Sequence, residues 1–127
     1  MYNYEFLHFV RAEEMKLFEN RFIKGKPILE VGGGTGYQAK ILSERGYAVT
    51  SIDLHDGYHA QNCVFPVQGY DGKTIPFAAK SFEVVFTSHT LECVTDLHLF
   101  QKEIYLILSD SGVVIHLVSS NSQGNRI

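Results

Sequence analysis

The stretch Ile28-Leu29-Glu30-Val31-Gly32-Gly33-Gly34-Thr35-Gly36, followed at once by Tyr37-Gln38-Ala39-Lys40-Ile41-Leu42, decides the fold of this chain. It predicts a short buried strand, a glycine-rich turn and the start of a helix. The glycines at alternate positions leave the backbone without Cβ atoms, so a ligand can approach it closely. The turn also presents that ligand to a helix N-terminus, whose free N–H groups and dipole attract an anion. The stretch therefore predicts a cradle for a cofactor.

The composition limits the classes of protein to which the chain can belong. It has 127 residues, 45% of them hydrophobic and 20% charged, which suits one globular domain with a core. The net charge is −3 and no run of Lys or Arg occurs, so we expect neither a nucleic acid nor a membrane as partner. Cys63 and Cys93 lack metal-ligand spacing, so no metal site is predicted. The N-terminus does not resemble a signal peptide, and we expect a cytoplasmic protein.

Strands and helices alternate along the chain. Hydrophobic spacing predicts helices at 4–23, 37–45 and 96–108 and strands at 28–31, 47–52, 63–67, 82–87 and 113–118, before a polar tail at 119–127. Pro66 cannot donate to a ladder and places the third strand at an edge. Several strands are continuous apolar runs, which is typical of a mostly parallel sheet covered on both faces. The fold class is therefore α/β, with ligands expected at the carboxyl ends of the strands.

The spacing of the glycines leaves two cofactors open. A dinucleotide-binding turn has the pattern G-x-G-x-x-G or its G-x-G-x-x-A variant, which Gly34, Gly36 and Ala39 satisfy imperfectly. A nicotinamide-dependent oxidoreductase therefore stays an alternative. The pattern as it stands, E-x-G-x-G-x-G from Glu30, instead resembles motif I of the class I S-adenosylmethionine-dependent methyltransferases.

Three further segments resemble the small-molecule methyltransferases of that class, the type with a methyltransferase 11-like domain. Residues 71–77, with 81–85 behind them, are similar to the family stretch D-(A/G)-x-x-(L/I)-P-F … S-F-D-x-V. Residues 88–94 are similar to S-x-x-L-E-H-V, with Cys93 where the family often has His. Residues 103–112 resemble E-x-x-R-V-L-K-P-G-G least well. The resemblance covers residues 28–118 and implies a Rossmann-like three-layer sandwich.

The resemblance implies S-adenosyl-L-methionine as cofactor and a role for particular residues. Asp53 would accept hydrogen bonds from the ribose hydroxyls, a role that its place after a strand also suits. Asp71 and the backbone N–H of Gly72 would contact adenine, and Glu30 would help hold the methionine ammonium group. The predicted cofactor-binding residues are Glu30, Gly32, Gly34, Gly36, Asp53, Leu54, Asp71, Gly72 and Ser88.

A catalytic residue is not identified from the sequence. Methyl transfer needs a general base only when the acceptor is a poor nucleophile such as a hydroxyl. His89, near the expected methyl-transfer site, is a weak candidate, and His55 and His59 are weaker. His116 lies in a predicted buried strand and is more typical of a hydrogen-bonded core residue.

The chain ends soon after the fifth predicted strand, whereas members of that family continue with a helix and an antiparallel strand pair. We therefore expect a single S-adenosylmethionine-binding domain at 1–127, with an N-terminal helix at 1–24, a cofactor-binding core at 25–118 and a tail at 119–127, that lacks the C-terminal strands. The predicted function is methyl transfer to a small-molecule substrate. A non-catalytic module remains the alternative, with a partner chain or a missing C-terminal segment covering the edge of the sheet.

Overall fold

The computed structural model describes residues 3–55 and 62–118. Eight main helices and strands follow one another along these residues: α1 Tyr4–Met15, β1 Ile28–Val31, α2 Tyr37–Glu44, β2 Val49–Leu54, β3 Gln68–Tyr70, β4 Phe82–Ser88, α3 Leu97–Ile107 and β5 Leu108–Leu117. Short 3-10 helices lie at Glu19–Arg21 and Leu91–Cys93. The predicted tail at 119–127 lies outside the described residues.

The five strands form one parallel sheet in the order β3-β2-β1-β4-β5. β1 lies at its centre, where Ile28 pairs with Val49 of β2 on one side and Val84 of β4 on the other. In sequence order, β2 and β3 are added on one side of β1, and β4 then lies on the other side of β1. Strand order thus reverses between β1 and β4, which is where sheets of this kind bind ligands.

The residues of β1 point alternately to two apolar clusters on opposite faces of the sheet. Leu29 and Val31 pack in a cluster with Phe100, Ile104 and Ile107 of α3. Ile28 packs on the other face, in a cluster formed with these side chains from the N-terminal segment, α2 and β4: Met15, Phe18, Phe22, Leu42, Val84 and Phe86. Helices therefore cover both faces, and the predicted α/β fold, a Rossmann-like three-layer sandwich, is confirmed.

The N-terminal helix is shorter than the spacing of its apolar residues predicts. Asn3 caps it by accepting a hydrogen bond from the N–H of Phe6, and the helix ends at Met15 rather than at residue 23. Phe18 has a φ of −135°, which is not helical, and a 3-10 turn follows. The bend allows Phe18 and Phe22 to bury their rings against Phe86, with ring centroids 5.6 and 5.2 Å away. Tertiary packing overrides the helical periodicity here.

The predicted third strand at 63–67 is wrong in position, although the third strand does lie at the edge of the sheet. The strand forms at Gln68–Tyr70 instead. Residues just before it are bound to the glycine-rich turn: the N–H of Val64 donates to the carbonyl of Thr35 at 2.8 Å. Pro66 lacks an N–H and cannot join a ladder. β2 is also displaced, because it ends at Leu54 and contains Asp53, which the sequence places after the strand.

The last strand begins directly after α3, where the sequence predicts a turn at 109–112. Leu108 of β5 pairs with Phe82 of β4, and the next pair joins Val113 to Val84. Residues 109–112 therefore form an irregularity in the ladder. Their hydroxyl groups have a shared acceptor, because Ser109 and Ser111 donate to the two carboxylate oxygens of Glu83 at 3.0 and 2.7 Å. These bonds, chiefly the one from Ser111, lower the pKa of Glu83.

Removing one methyl group from the core should destabilise the fold by a predictable amount. Ile52 is fully buried in β2, whereas Ile23 is 54% exposed. We expect Ile52→Val to lower the free energy of unfolding by about 1 kcal/mol, because it leaves a small cavity. Ile23→Val, the same substitution at the surface, should change it by less than about 0.5 kcal/mol. Urea denaturation measures both, and equal effects would contradict this description of the core.

Candidate cofactor site

The glycine-rich turn adopts the backbone conformation that its composition predicts. Gly32, Gly34 and Gly36 have φ values of +85°, +60° and +81°, in the left-handed region that other residues rarely adopt. The N–H groups of Gly32 and Gly33 both donate to the carbonyl of Ile52, at 2.8 and 3.0 Å. The turn is therefore bound to β2 at the carboxyl end of the sheet.

Neighbouring segments surround the turn so closely that side chains cannot fit. A Cβ atom at Gly32 would lie 2.2 Å from Oγ1 of Thr90, and one at Gly33 would lie 2.0 Å from Oγ of Ser51. At Gly36 it would lie 2.8 Å from Cβ of Phe65. Thr90 and Ser51, which the sequence did not single out, thus help to set the path of the turn.

Asp53 connects the turn to the end of β2. Its Oδ2 accepts a hydrogen bond from the N–H of Gly34 at 2.8 Å, and its Oδ1 accepts one from the N–H of Leu54, also at 2.8 Å. Each carboxylate oxygen can accept more than one hydrogen bond. The geometry therefore leaves acceptor capacity for further donors such as a pair of hydroxyl groups.

Glu30 is a carboxyl group buried beneath the turn. It is only 2% exposed, and its Oε1 accepts a hydrogen bond from Oγ of Ser51 at 2.7 Å. Burial raises the pKa of Glu30 to about 7; the bond from Ser51 opposes this rise, the charge of Asp53 adds to it and the charge of Arg11 opposes it. Near neutral pH the group therefore changes between a neutral and an anionic form, and a cation bound nearby would favour the anion.

The residues predicted to contact a base lie together beside β2. Gly72 has a φ of +80°, and a Cβ atom there would lie 2.8 Å from Cδ2 of Leu54. Asp71 precedes it on an exposed turn, where Oδ1 accepts hydrogen bonds from the N–H groups of Thr74 and Lys73. These two bonds lower the pKa of Asp71, so its carboxyl group is ionised at neutral pH. Leu54 itself is 54% exposed and offers an apolar surface.

The end of β4 forms the other side of the site. Ser88 is 8% exposed, and its Oγ is the one buried side-chain polar atom without a hydrogen-bond partner in the described part of the chain. Buried polar atoms without a partner are rare in folded proteins and often mark a functional position or an ordered water. His89 follows with a φ of +57°, which is unusual for a side chain with a Cβ. Its N–H donates to the carbonyl of Leu117 at 2.7 Å.

Helix α1 contributes residues that the sequence analysis missed. His8, Arg11 and Glu14 follow one another at steps of three, so they lie on one face of the helix. Nε2 of His8 lies 2.9 Å from Oγ1 of Thr35, and Oε2 of Glu14 lies 2.7 Å from Nε2 of His89. The spacing of polar residues within an apolar helix could have indicated this face, but not what it contacts.

The other histidines that the sequence singles out have different surroundings, and one of them lies outside the described residues. His55 lies in the turn after β2, and a Cβ atom at Gly69 would be 2.6 Å from its Nδ1. His59 lies outside the described residues. His116 is half-buried in β5, where its Nδ1 lies 2.7 Å from Oγ1 of Thr87, and burial lowers its pKa.

Two observations concern metals and membranes. No group of three or more His, Cys, Asp and Glu side chains that could hold a metal ion occurs within residues 3–55 and 62–118. Over the same residues, the helices lack the length and apolar character that a membrane crossing requires.

Comparison with known proteins identifies relatives of the chain. The methyltransferase domain family matches residues 29–116. The malonyl-[acyl-carrier protein] O-methyltransferase of Serratia marcescens is 28% identical over 96 residues, which are 72% of this chain and 37% of the relative. The enzyme of the same name from Erwinia billingiae is 26% identical over 111 residues, which are 82% of this chain and 43% of the relative. The chain thus spans about two fifths of the length of these curated relatives.

A solved structure shows the same fold. The S-adenosylmethionine-dependent methyltransferase of Aquifex aeolicus superposes on the chain with a TM-score of 0.67 at 19% identity. The match covers 80% of this chain and 61% of that protein. At this level of identity the likeness concerns the fold.

The raised pKa of Glu30 predicts how stability depends on pH. Below its ordinary pKa of 4.5, Glu30 is protonated in both the folded and the unfolded chain. As the pH rises from 4.5 to about 7, only the unfolded chain ionises, so the stability that Glu30 provides is lost. Relative to Glu30→Gln, the free energy of unfolding of the wild type should fall by about 3 kcal/mol over this range. Urea denaturation at several pH values measures this free energy. The same pH dependence in the wild type and in Glu30→Gln would contradict the prediction.

Proposed function

The chain belongs to the class I S-adenosylmethionine-dependent methyltransferase family, and from this premise we propose that it binds S-adenosyl-L-methionine at the glycine-rich turn and takes part in methyl transfer to a small molecule. The observation that carries this proposal is the meeting of Asp53, Glu30 and the turn at the carboxyl ends of β1 and β2. Family membership also sets aside the nicotinamide-dependent alternative.

The described residues fit the cofactor group by group. The turn is a cradle with no room for a side chain at Gly32, Gly33 or Gly36, Asp53 has acceptor capacity for ribose hydroxyls, and Leu54 with Gly72 offers a surface for adenine. The anionic form of Glu30 can hold the ammonium group of the methionine part. The buried Oγ of Ser88 would bond to the methionine end of the cofactor. We therefore propose as cofactor-binding residues the same positions that the sequence predicts.

The protein's own part in the reaction is binding, orientation and exclusion of water. When bound, S-adenosylmethionine supplies an electrophilic methyl group on a sulfonium centre. Residues at the ends of β1 and β4 would hold this centre at the switch point of the sheet, and α1 would shield it from solvent. No side chain needs to form a covalent bond.

The acceptor that the relatives suggest needs no general base, and carboxylates contact His89, the weak candidate for that role. Its Nε2 lies 2.7 Å from Glu14 and its Nδ1 lies 3.7 Å from Glu92, so carboxylates are near both ring nitrogens. A carboxylate acceptor is already deprotonated at neutral pH. The two malonyl-[acyl-carrier protein] O-methyltransferases make a malonyl thioester the first acceptor to test.

A non-catalytic module completed by another segment or chain is the second candidate. β5 is the last strand of the sheet in the described part of the chain, and Val113 and Val114 on it are 45% and 37% exposed. A long apolar edge strand of this kind offers unpaired backbone groups to a further strand. Methyl release from labelled cofactor, with malonyl thioester as acceptor, separates the two candidates: cofactor binding without turnover would favour the second.

Removing the Asp53 carboxylate should weaken cofactor binding. We expect Asp53→Ala to reduce the affinity for S-adenosylhomocysteine by at least about tenfold, because hydrogen bonds to a charged acceptor are lost. Asp110→Ala is the matched control, since Asp110 is exposed on β5 and pairs with Lys80 at 3.2 Å. Calorimetric titration measures both. Equal affinities in the wild type and Asp53→Ala would contradict the assignment of the site.

Cofactor affinity should also depend on the ionisation of Glu30. As the pH rises through about 7, the fraction of anionic Glu30 increases, and affinity for the ammonium-bearing ligand should increase with it. Glu30→Gln should remove this dependence between pH 6 and 8 as well as lowering the affinity. Titrations at three pH values test it, and a pH dependence that persists in the variant would show that another group is responsible.

A further inference from the structure

Helix α1 is attached to both sides of the predicted cofactor cleft. On the side of the glycine-rich turn, His8 contacts Oγ1 of Thr35 and stacks on the ring of Tyr37, with centroids 4.2 Å apart and planes at 5°. The side-chain amide of Gln38, in α2, donates to the carbonyl of Arg11 at 3.2 Å. On the side of β4, Glu14 contacts His89. The helix therefore bridges the point between β1 and β4 where strand order reverses.

Glu14 also pairs with Arg11 within α1, at 3.0 Å. Its contact with His89 is different, because it joins the helix to the end of β4. The two side chains are only 21% and 20% exposed, and 75 residues separate them in the chain. The pair Lys16–Glu13, on the same helix, is 69% and 50% exposed and joins neighbouring turns of α1 alone. Partly buried hydrogen bonds to a carboxylate are stronger than exposed ones.

The backbone at His89 has an unusual conformation that supports the contact. Its φ of +57° follows directly after β4, and this region is strained for a residue with a Cβ. Such conformations persist where the surrounding structure holds them, and they cluster at ligand clamps and switches. At this position the backbone changes direction after β4, and the side chain of His89 reaches Glu14 on α1.

We propose that the Glu14–His89 contact is a latch that keeps α1 closed over the cofactor cleft, so that cofactor enters and leaves only when this contact breaks. Glu14 and His89 are positioning residues: they act through the position of α1. The proposal rests on the proposed cofactor site and adds a control of exchange to it. Weakening the latch increases the fraction of molecules with the cleft open, which speeds both association and dissociation.

The test compares exchange rates in variants with matched surroundings. Glu14→Ala removes the latch and also the pair that Glu14 forms with Arg11, whereas Glu13→Ala, one residue earlier on the same helix, removes only the Lys16 pair. Ala preserves helix propensity in both. His89→Asn removes the latch from the other side, because Asn tolerates the left-handed region and its side chain is shorter. Stopped-flow fluorescence with a fluorescent analogue of S-adenosylhomocysteine gives both rate constants.

We expect association and dissociation to become about tenfold faster in Glu14→Ala and in His89→Asn, while the dissociation constant changes less than about threefold. The double variant should resemble each single one, because both substitutions remove one contact. Glu13→Ala should match the wild type. Rates within twofold of the wild type in both latch variants would overturn the proposal, as would faster dissociation with unchanged association.

A second measurement distinguishes failure of the latch from failure of the cofactor site. Hydrogen exchange of the α1 amides in the ligand-free protein should be about tenfold faster in Glu14→Ala than in Glu13→Ala. If the wild type binds no S-adenosylhomocysteine but this difference is found, the proposed cofactor site fails, although the contact between Glu14 and His89 still holds α1 in place. Equal exchange in the two variants would overturn the latch whatever the binding result.

Discussion

Close contact between the glycine-rich turn and the segments around it is the constraint on which the rest of the site depends. A Cβ atom at Gly32, Gly33 or Gly36 would overlap Thr90, Ser51 or Phe65, so the turn can take its path only without side chains. That path brings the N–H of Gly34 to Asp53 and places the turn over Glu30. This steric requirement thus sets the positions of Asp53 and Glu30 relative to the turn.

The sequence predicted most of the sheet because its strands carry strong local patterns. β1 and β4 are continuous apolar runs, and both lie where the pattern indicates. Prediction failed where distant contacts decide the structure. The segment before β3 has a strand-like composition, but Val64 bonds to the glycine-rich turn, and α1 ends early because Phe18 and Phe22 pack on Phe86. The family resemblance allowed the cofactor-binding positions to be named, yet the contacts of α1 with Thr35 and His89 join residues too distant for spacing to reveal.

The charges at the site fit a ligand with both cationic and hydroxyl groups. Glu30 is buried with a pKa raised to about 7, so a nearby cation would favour its anionic form, whereas Asp53 and Asp71 are held by backbone N–H groups. The structure therefore combines one carboxyl group that responds to its ligand with others that are held in place beforehand. Helix α1 adds Arg11 to the surroundings of Glu30, and the charge of Arg11 opposes the rise in the pKa of that carboxyl group.

The central claim, that the cofactor lies on the glycine-rich turn, is tested most directly by following backbone amide resonances during titration with S-adenosylhomocysteine. We predict that the amides of residues 32–36, Leu54 and Gly72 shift progressively and saturate together. The amide of Tyr105, which is 79% exposed on α3, should not move. Saturable shifts confined to residues outside the turn and the ends of β2 and β4, or no shifts at all, would contradict the claim.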